Sequence, residues 1–416
     1  MERSASPVRR VALGLAVVVC AGVWIAAASY LWRTSVPSLH LSGLDVHRYF
    51  TAHDLARARS YARGARLLWL LATLAPLVAL VVLARRMPRI VRGLGLGRVS
   101  SAIVVGSVTL TTLWFVALPF SVAELWWQHH WGLGPFDVGA WLSGQWASLA
   151  ATAVSAMATI AIAVGLAGRL GRNWWLAGAP VFVAIAAFFA FVGGWVGASG
   201  SHAIRDASLR ARVERIERIE GVTPPVRVVS VHKVTNQANA FTSGFGPSTH
   251  VVIWDTLLDG RFSDAEVDAV VAHELGHAKS GHIPKAIGWF ALFAFPLTFL
   301  VEWSTRRRGG IANPANLPLA LLVLGVALLV ATPLVNAVSR RYEAEADWRA
   351  LRATHDPAAA TQLFRSFART SLEEPSPPLL DYVWLENHPT LMQRIAMAKA
   401  WAARDGRSSR GGPGSP

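Results

Sequence analysis

The chain has 416 residues, of which 53% are hydrophobic and 16% are charged, and its formal net charge is +15 at pH 7. This balance argues against an ordinary soluble protein and favours an integral membrane protein. The basic residues are mostly Arg and many flank apolar runs, so we interpret them as ends of membrane spans and expect no nucleic-acid partner. The single cysteine, Cys20, excludes an intrachain disulfide and a cysteine-based metal cluster.

Seven apolar runs are long enough to cross a bilayer as helices. They lie at roughly 11–32, 67–84, 102–123, 147–168, 174–198, 286–304 and 317–338. The first run could instead be a secretory signal peptide, because Arg9 and Arg10 precede it and Ala26 and Ala28 resemble a cleavage site. Its apolar core of about 20 residues exceeds the usual length of about 7–15, which favours a retained span. We therefore predict a multi-pass protein of the cell membrane, in contact with the lipid bilayer.

Three polar regions separate these spans, at about 33–66, at about 199–285 and from 339 onwards. Because the last two spans form a there-and-back hairpin, the second and third polar regions are expected on the same side of the membrane. Counting arginines in the loops favours the outer side for both regions, although the arginines of the first polar region argue against that orientation.

The second polar region has the pattern of a small α+β unit. An amphipathic helix is predicted from apolar residues at helical spacing, namely Leu209, Val213, Ile216 and Ile219. Two later segments, 226–234 and 239–258, are rich in β-branched and aromatic residues and are predicted to form strands of a small sheet. The end of the chain, from about Arg404, has no apolar periodicity and is expected to be disordered.

The stretch AVVAHELGHAKSGH, residues 269–282, has the spacing of a zinc-binding helix. Ser263 and Glu266 form a capping box that predicts where this helix begins. His273 and His277 lie one turn apart on one face, so their imidazoles can bind one zinc ion. Glu274 lies about 100° around the helix from His273, where it can accept a proton from a water beside the metal. This short motif also arises by chance in alanine-rich helices, so it needs a third ligand.

A hydrolytic zinc site has three protein ligands and one open position. The extended motif with a third histidine requires Gly and His at positions occupied by Ser280 and Ile283, so that alternative fails. His282 is about 140° around the helix from His277, and it is expected at the surface or in an outer supporting position. Gly276 allows close approach of another segment to the helix.

Carboxylates after the last span offer the third ligand. In SRRYEAEAD, residues 339–347, Glu343 and Asp347 lie one turn apart on one face, whereas Glu345 points elsewhere. This spacing suits one metal ligand and one acceptor that fixes a histidine tautomer. An exposed acidic patch paired with Arg340 and Arg341 is an equally good interpretation of the spacing alone.

Four motifs together resemble those of the membrane zinc endopeptidases that include the type-1 CAAX prenyl protease and its bacterial relatives. In chain order they are NAFTSGFGPSTHVVIWDTLL at 239–258, HELGH at 273–277, SRRYEAEAD at 339–347 and HPTLMQRIA at 388–396. Weaker likeness extends the resemblance over nearly all of residues 50–400.

The resemblance implies a complete metal centre. One zinc ion per chain would be bound by His273, His277 and Glu343, with Glu274 as the general base. Asp347 would support the site from the outer shell of ligands.

The resemblance also implies how a peptide or protein substrate is held. Asn239, Ala240 and Phe241 would form an edge strand that pairs with an extended substrate. His388 is a candidate donor to the oxyanion, although a residue at a helix start before Pro389 fits the sequence as well.

Arg340 and Arg394 match arginines of the same family. We interpret both of them as structural partners of buried carboxylates, in outer supporting positions.

The expected fold is mostly α and integral membrane, with about seven transmembrane helices enclosing a chamber and a small α+β zincin-like catalytic region. Residues 1–198 would form an N-terminal membrane region, 199–403 a metallopeptidase region, and 404–416 a disordered tail. The expected activity is cleavage of extended or membrane-associated proteins; a zinc-stabilised scaffold without activity and a transporter are the alternatives. The sequence leaves open the natural substrate, any use of prenylated proteins and the oligomeric state.

Overall fold

The computed structural model describes residues 7–93 and 95–408. Most of this part of the chain is helical. The helices are α1 Pro7–Leu31, α2 Ala52–Val91, α3 Arg98–His130, α4 Val138–Leu170, α5 Trp174–Gly197, α6 Ala207–Glu220, α7 Asp264–Ser280, α8 His282–Thr305, α9 Leu317–Thr354, α10 Pro357–Thr370, α11 Leu379–Trp384 and α12 Leu391–Ser408. The strands are β1 His202–Ala203, β2 Val226–Val229, β3 Ala240–Ser243 and β4 His250–Trp254.

The seven predicted spans coincide with the long helices α1 to α5, α8 and α9. By length and composition, five stretches of the described residues can cross a membrane: Ala52–Val91, Arg98–His130, Leu149–Gly197, His282–Arg308 and Pro314–Thr354. The third of these contains most of α4 together with α5, and Val17–Leu31 is a shorter apolar helix. The chain is a multi-pass membrane protein, while the count of seven spans and the enclosed chamber stay predictions.

The strands form one sheet in the order β1-β2-β4-β3. β2 runs parallel to β4, whereas β1 and β3 pair antiparallel with β2 and β4 respectively. The centre of β4 is fully buried at Val251, Val252 and Ile253, as its β-branched sequence predicts. β3 lies at the edge of the sheet, and no other strand of the described residues pairs with its outer side. Of the predicted edge strand, Ala240 and Phe241 lie in β3 and Asn239 directly precedes it, while pairing with a substrate stays a prediction.

The helix that carries HELGH begins as the sequence predicts. The Ser263 hydroxyl accepts a hydrogen bond from the Glu266 N–H at 3.3 Å, and the Ser263 N–H donates to Glu266 Oε2 at 2.8 Å. The helix ends at Ser280 and is capped by Gly281, whose φ of 62° is in the left-handed region. This residue separates α7 from α8 and changes the direction of the chain.

The amphipathic helix α6 differs from its prediction at one position. Leu209, Val213 and Ile216 are buried as expected, but Ile219 is 53% exposed. Glu220, four residues after Ile216, faces the interior instead because its carboxylate pairs with Arg349 at 3.0 Å. A distant ion pair therefore decides the orientation of the last turn.

Two hydrophobic clusters join the predicted N-terminal and metallopeptidase regions. Phe50 and Leu55 pack in one cluster with residues of α6, α7, α9, α10 and α12. Met87 and Trp174 belong to a second cluster with residues of α8 and α9, such as Val301. Residues before and after position 198 thus pack in the same two hydrophobic clusters. The predicted boundary at residue 198 divides the sequence but not these clusters.

The end of the chain corrects one expectation. Disorder is predicted from about Arg404, but α12 continues to Ser408. Trp401 is buried, and Ala402, Ala403 and Arg404 after it favour the helical conformation. The rest of the predicted disordered tail, residues 409–416, lies outside the described residues.

Candidate metal centre

Helices α7 and α9 bring together three side chains that could hold a metal ion, His273, His277 and Glu343. The Nε2 atoms of His273 and His277 are 3.0 Å apart. Glu343 Oε2 lies 3.2 Å from His273 Nε2 and 3.5 Å from His277 Nε2. Bonds of about 2.1 Å to a tetrahedral zinc ion place its donors about 3.4 Å apart, so this donor set fits the metal.

This group has the further properties of a metal centre. All three donor atoms lie within 4.8 Å of one another. The side chains of His273, His277 and Glu343 are 11%, 16% and 12% exposed, which leaves one open side. A Cβ at Gly276 would lie 3.3 Å from Ala346 Cα, so glycine permits the close approach of α9 that the sequence predicts.

Glu274 lies beside these donors and is held by an edge-strand hydroxyl. Thr242 Oγ1 on β3 is 2.9 Å from Glu274 Oε2 and 2.8 Å from the Glu274 carbonyl oxygen. Thr242 is absent from the predicted site residues. The signal available for it was a hydroxyl residue in the predicted strand segment 239–258, two positions after Ala240 and hence on the same face of a strand.

A buried ion pair supports His273. Its Nδ1–H donates to Asp347 Oδ1 at 2.9 Å, and Arg394 donates to both oxygens of Asp347 at 2.8 and 2.7 Å. Arg394 also lies over the ring of Phe364, with its guanidinium carbon 4.3 Å from the centroid. The predicted partnership of Arg394 with a buried carboxylate is thus present.

The environment of His273 favours a positive charge. Burial acts to lower its pKa, but the hydrogen bonds to Asp347 and then to Glu343 outweigh burial and raise the pKa of His273 to about 10. A metal ion that binds His273 must displace the proton that makes its imidazole positively charged. Metal binding is therefore expected to release protons to solution.

His277 contacts His282, which the sequence predicts either at the surface or in an outer supporting position. His282 is buried, and its Nδ1 lies 2.8 Å from His277 Nδ1. The surface position for His282 is therefore excluded, and the outer supporting position agrees with the contact.

His388 lies on the open side of the metal centre. Its Nε2 is 3.1 Å from Glu343 Oε2, and its side chain is 42% exposed. The segment before it is held by Arg340, which donates to the carbonyl oxygens of Tyr382 at 2.9 Å and Glu386 at 2.6 Å.

The prediction that Arg340 pairs with a buried carboxylate is wrong. Its described hydrogen bonds go to backbone carbonyls because α11 ends beside α9, and carbonyls at a helix C-terminus lack partners within the helix. Arg340 acts on the segment that carries His388 and not on the ligands.

The metal centre opens into a cavity of about 340 Å³. The predicted substrate-binding residues Asn239, Ala240 and Phe241 line it together with the ligands, Glu274 and His388. Its apolar lining includes Leu363, Phe364 and Phe367 of α10.

The chain is similar to known metalloproteases in both sequence and fold. The model of "Peptidase family M48" matches residues 203–402. A protease HtpX homolog of Acidiphilium cryptum is 32% identical over 225 residues, which are 50% of this chain and 73% of that protein. The crystal structure of S. mikatae Ste24p superimposes with a TM-score of 0.69 over 95% of this chain and 100% of that chain, at 16% identity, which shows a shared fold.

Other relatives match over shorter shares of their length. The uncharacterized metalloprotease YhfN of Bacillus subtilis is 30% identical over 41% of this chain and 42% of that protein. A CAAX prenyl protease 1 homolog of Arabidopsis thaliana is 28% identical over 46% and 47%. The matched part thus spans less than half the length of these two relatives.

These observations are typical of a multi-pass membrane metalloprotease. Two histidines of an HExxH helix and a glutamate of a second helix form a group that could hold one metal ion. The chain belongs to peptidase family M48. The relatives include proteins named as HtpX homologs and a protein named as a CAAX prenyl protease 1 homolog. The comparisons therefore do not distinguish the expected CAAX prenyl protease type from an HtpX type.

Proposed function

We propose that this chain is a zinc-dependent endopeptidase of the cell membrane that hydrolyses peptide bonds in extended or membrane-associated proteins. The convergence of His273, His277 and Glu343 beside Glu274 carries this proposal. A purely structural zinc site typically has four protein ligands, whereas three ligands and one open side are typical of catalytic sites.

The residues at the centre suggest a mechanism without a covalent intermediate. Zinc bound by the three ligands would supply a Lewis acid that lowers the pKa of a water to about 7. Glu274, oriented by Thr242, would accept a proton from the water as the water oxygen bonds to the scissile carbonyl carbon, and would deliver that proton to the amine as the C–N bond breaks. His388 would donate a hydrogen bond to the carbonyl oxygen as negative charge develops there.

The substrate would bind as an additional strand along β3. β3 pairs with β4 on one side only, and Ala240 and Phe241 line the cavity that contains Glu274. A peptide in the extended conformation can form main-chain hydrogen bonds with the free side of an edge strand. Folded proteins cannot offer such a segment, so unstructured polypeptides are the proposed substrate class.

A comparison of the purified protein with Glu274→Gln tests this function. We expect equal zinc content by elemental analysis and cleavage of an unstructured fluorogenic peptide by the unmodified protein only, because Gln cannot accept the proton. Glu266→Gln is the matched control, since it changes a buried glutamate of the same helix whose cap an amide can retain. Cleavage by Glu274→Gln at the rate of the unmodified protein would exclude Glu274 as the base.

A further inference from the structure

His277 has an outer partner that differs from that of His273. The structure assigns His282 and Glu345 as positioning residues that hold His277 in the tautomer and orientation needed to bind zinc. This inference rests on the proposed zinc site. It concerns how the protein prepares that site, not the reaction itself.

The directions of the hydrogen bonds follow from the ligand nitrogen. His277 Nε2 faces the other donor atoms, so metal binding through Nε2 requires the proton to be on Nδ1. His277 Nδ1–H then donates to His282 Nδ1, 2.8 Å away. Because the Nδ1 of His282 accepts, its proton lies on Nε2, which donates to Glu345 Oε2 at 3.1 Å. The chain of donors fixes both tautomers from the carboxylate to the metal ligand.

Packing fixes the position of His282. Its ring stacks on Tyr342 with centroids 4.6 Å apart and an interplanar angle of 7°. The Tyr342 hydroxyl donates to the Leu31 carbonyl at 2.7 Å and accepts a hydrogen bond from Trp289. A ring held in this way has little freedom to rotate away from His277.

Glu345 is fixed at the other end of the chain. Its side chain is 4% exposed, and its Oε1 accepts the Ser35 N–H at 2.7 Å. Lys285 Nζ lies 3.5 Å from its Oε2 and supplies a positive charge. Ser35 belongs to the segment that joins α1 to α2, so this segment contributes to the support of the metal centre.

The turn at Gly281 explains why this contact is possible. In a continuous helix His282 would point about 140° away from His277. The left-handed conformation of Gly281, with φ 62°, redirects the chain so that the two imidazoles meet. A residue with a Cβ is strained in this conformation, which supports a specific requirement for glycine here.

The two ligands are therefore supported by different chemistry. His273 donates directly to the carboxylate of Asp347, whereas His277 donates to a neutral imidazole that in turn reaches a carboxylate. Outer partners of metal-binding histidines raise the basicity of the ligand and fix its ring. We expect the His282 and Glu345 pair to act on zinc affinity through His277.

The test measures zinc affinity by competition with a chromophoric chelator in detergent-purified full-length protein. We expect His282→Ala to weaken zinc binding about 10- to 100-fold and Glu345→Gln to weaken it less, since the amide retains an acceptor without the charge. His282→Asn should recover part of the affinity, because its amide oxygen lies near the position of the imidazole Nδ1. Visible absorption of the Co²⁺-substituted protein reports any change of ligand geometry in the same variants.

Two further variants make the result decisive. Glu220→Gln changes a buried, ion-paired carboxylate that touches no ligand, and it should bind zinc within twofold of the unmodified protein. Asp347→Asn should weaken binding through His273. Zinc affinities of His282→Ala and Glu345→Gln within twofold of the unmodified protein, alongside a weakened Asp347→Asn, would overturn the inference and leave the proposed function intact. Absence of zinc binding by the unmodified protein would overturn both.

Discussion

Replacement of Glu343 by Ala is expected to remove the proposed third zinc ligand, the only one that α9 contributes. A single oxygen of this residue faces both histidines, at 3.2 and 3.5 Å. Zinc sites with four protein ligands have binding free energies of about 10–16 kcal/mol, so one ligand accounts for about 3 kcal/mol. That amount corresponds to a loss of about 100-fold in zinc affinity. Competition with a chromophoric chelator at constant pH measures it.

A buried carboxylate outside the centre provides the control. Glu220→Ala removes the partner of Arg349 and is expected to lower thermal stability without changing zinc affinity. The pair of variants separates ligand loss from general destabilisation. Full zinc affinity in Glu343→Ala would refute the ligand assignment and with it the geometric reasoning from α7 and α9.

Three other predictions concern groups around the centre. Thr242→Val keeps the shape of the side chain but removes its hydrogen bond to Glu274, so kcat should fall about 10-fold at unchanged zinc content; an unchanged kcat would exclude this orienting role. Arg340→Met should also lower kcat, because it removes two hydrogen bonds that hold the segment before His388. Its zinc content should not change, and a loss of zinc would contradict this role for Arg340. Burial, and after it the charge of a neighbouring carboxylate, raises the pKa of Glu386 to about 7. The pKa of a glutamate in the unfolded chain is about 4.3, so the free energy of unfolding falls as the pH rises from about 4.3 to about 7 and stays low above that range. The melting temperature of Glu386→Gln should match that of the unmodified protein near pH 4 and exceed it at pH 8; equal temperatures at both pH values would refute the assignment.

Helical periodicity made the ligands predictable. His273 and His277 share a face because they are four residues apart, and the same spacing puts Glu343 and Asp347 together. The membrane hairpin between them predicted that the two helices lie on one side, and the observed distances between donor atoms agree with it. Long apolar helices were accessible from the sequence for a similar reason, since bilayer thickness sets their length.

Contacts that depend on a break in a helix, or on a partner far away in the sequence, were not predictable. The left-handed Gly281 interrupts the helical period, so the contact of His282 with His277 could not be read from spacing. Glu220 replaces Ile219 in the interior because of Arg349, which is 129 residues away in the sequence. Local patterns give the relations within one helix, whereas the partners of buried charges come from the packing of separate elements.

Reconstitution with zinc shows whether cleavage by this protein depends on the metal. The purified protein is stripped with a chelator, and zinc is then added in steps while bound metal and cleavage of an unstructured reporter peptide are both measured. We expect cleavage to be absent from the stripped protein and to return in proportion to bound zinc, up to one ion per chain. Full cleavage by the metal-free protein, or one bound zinc ion per chain without any cleavage, would contradict a zinc-dependent endopeptidase.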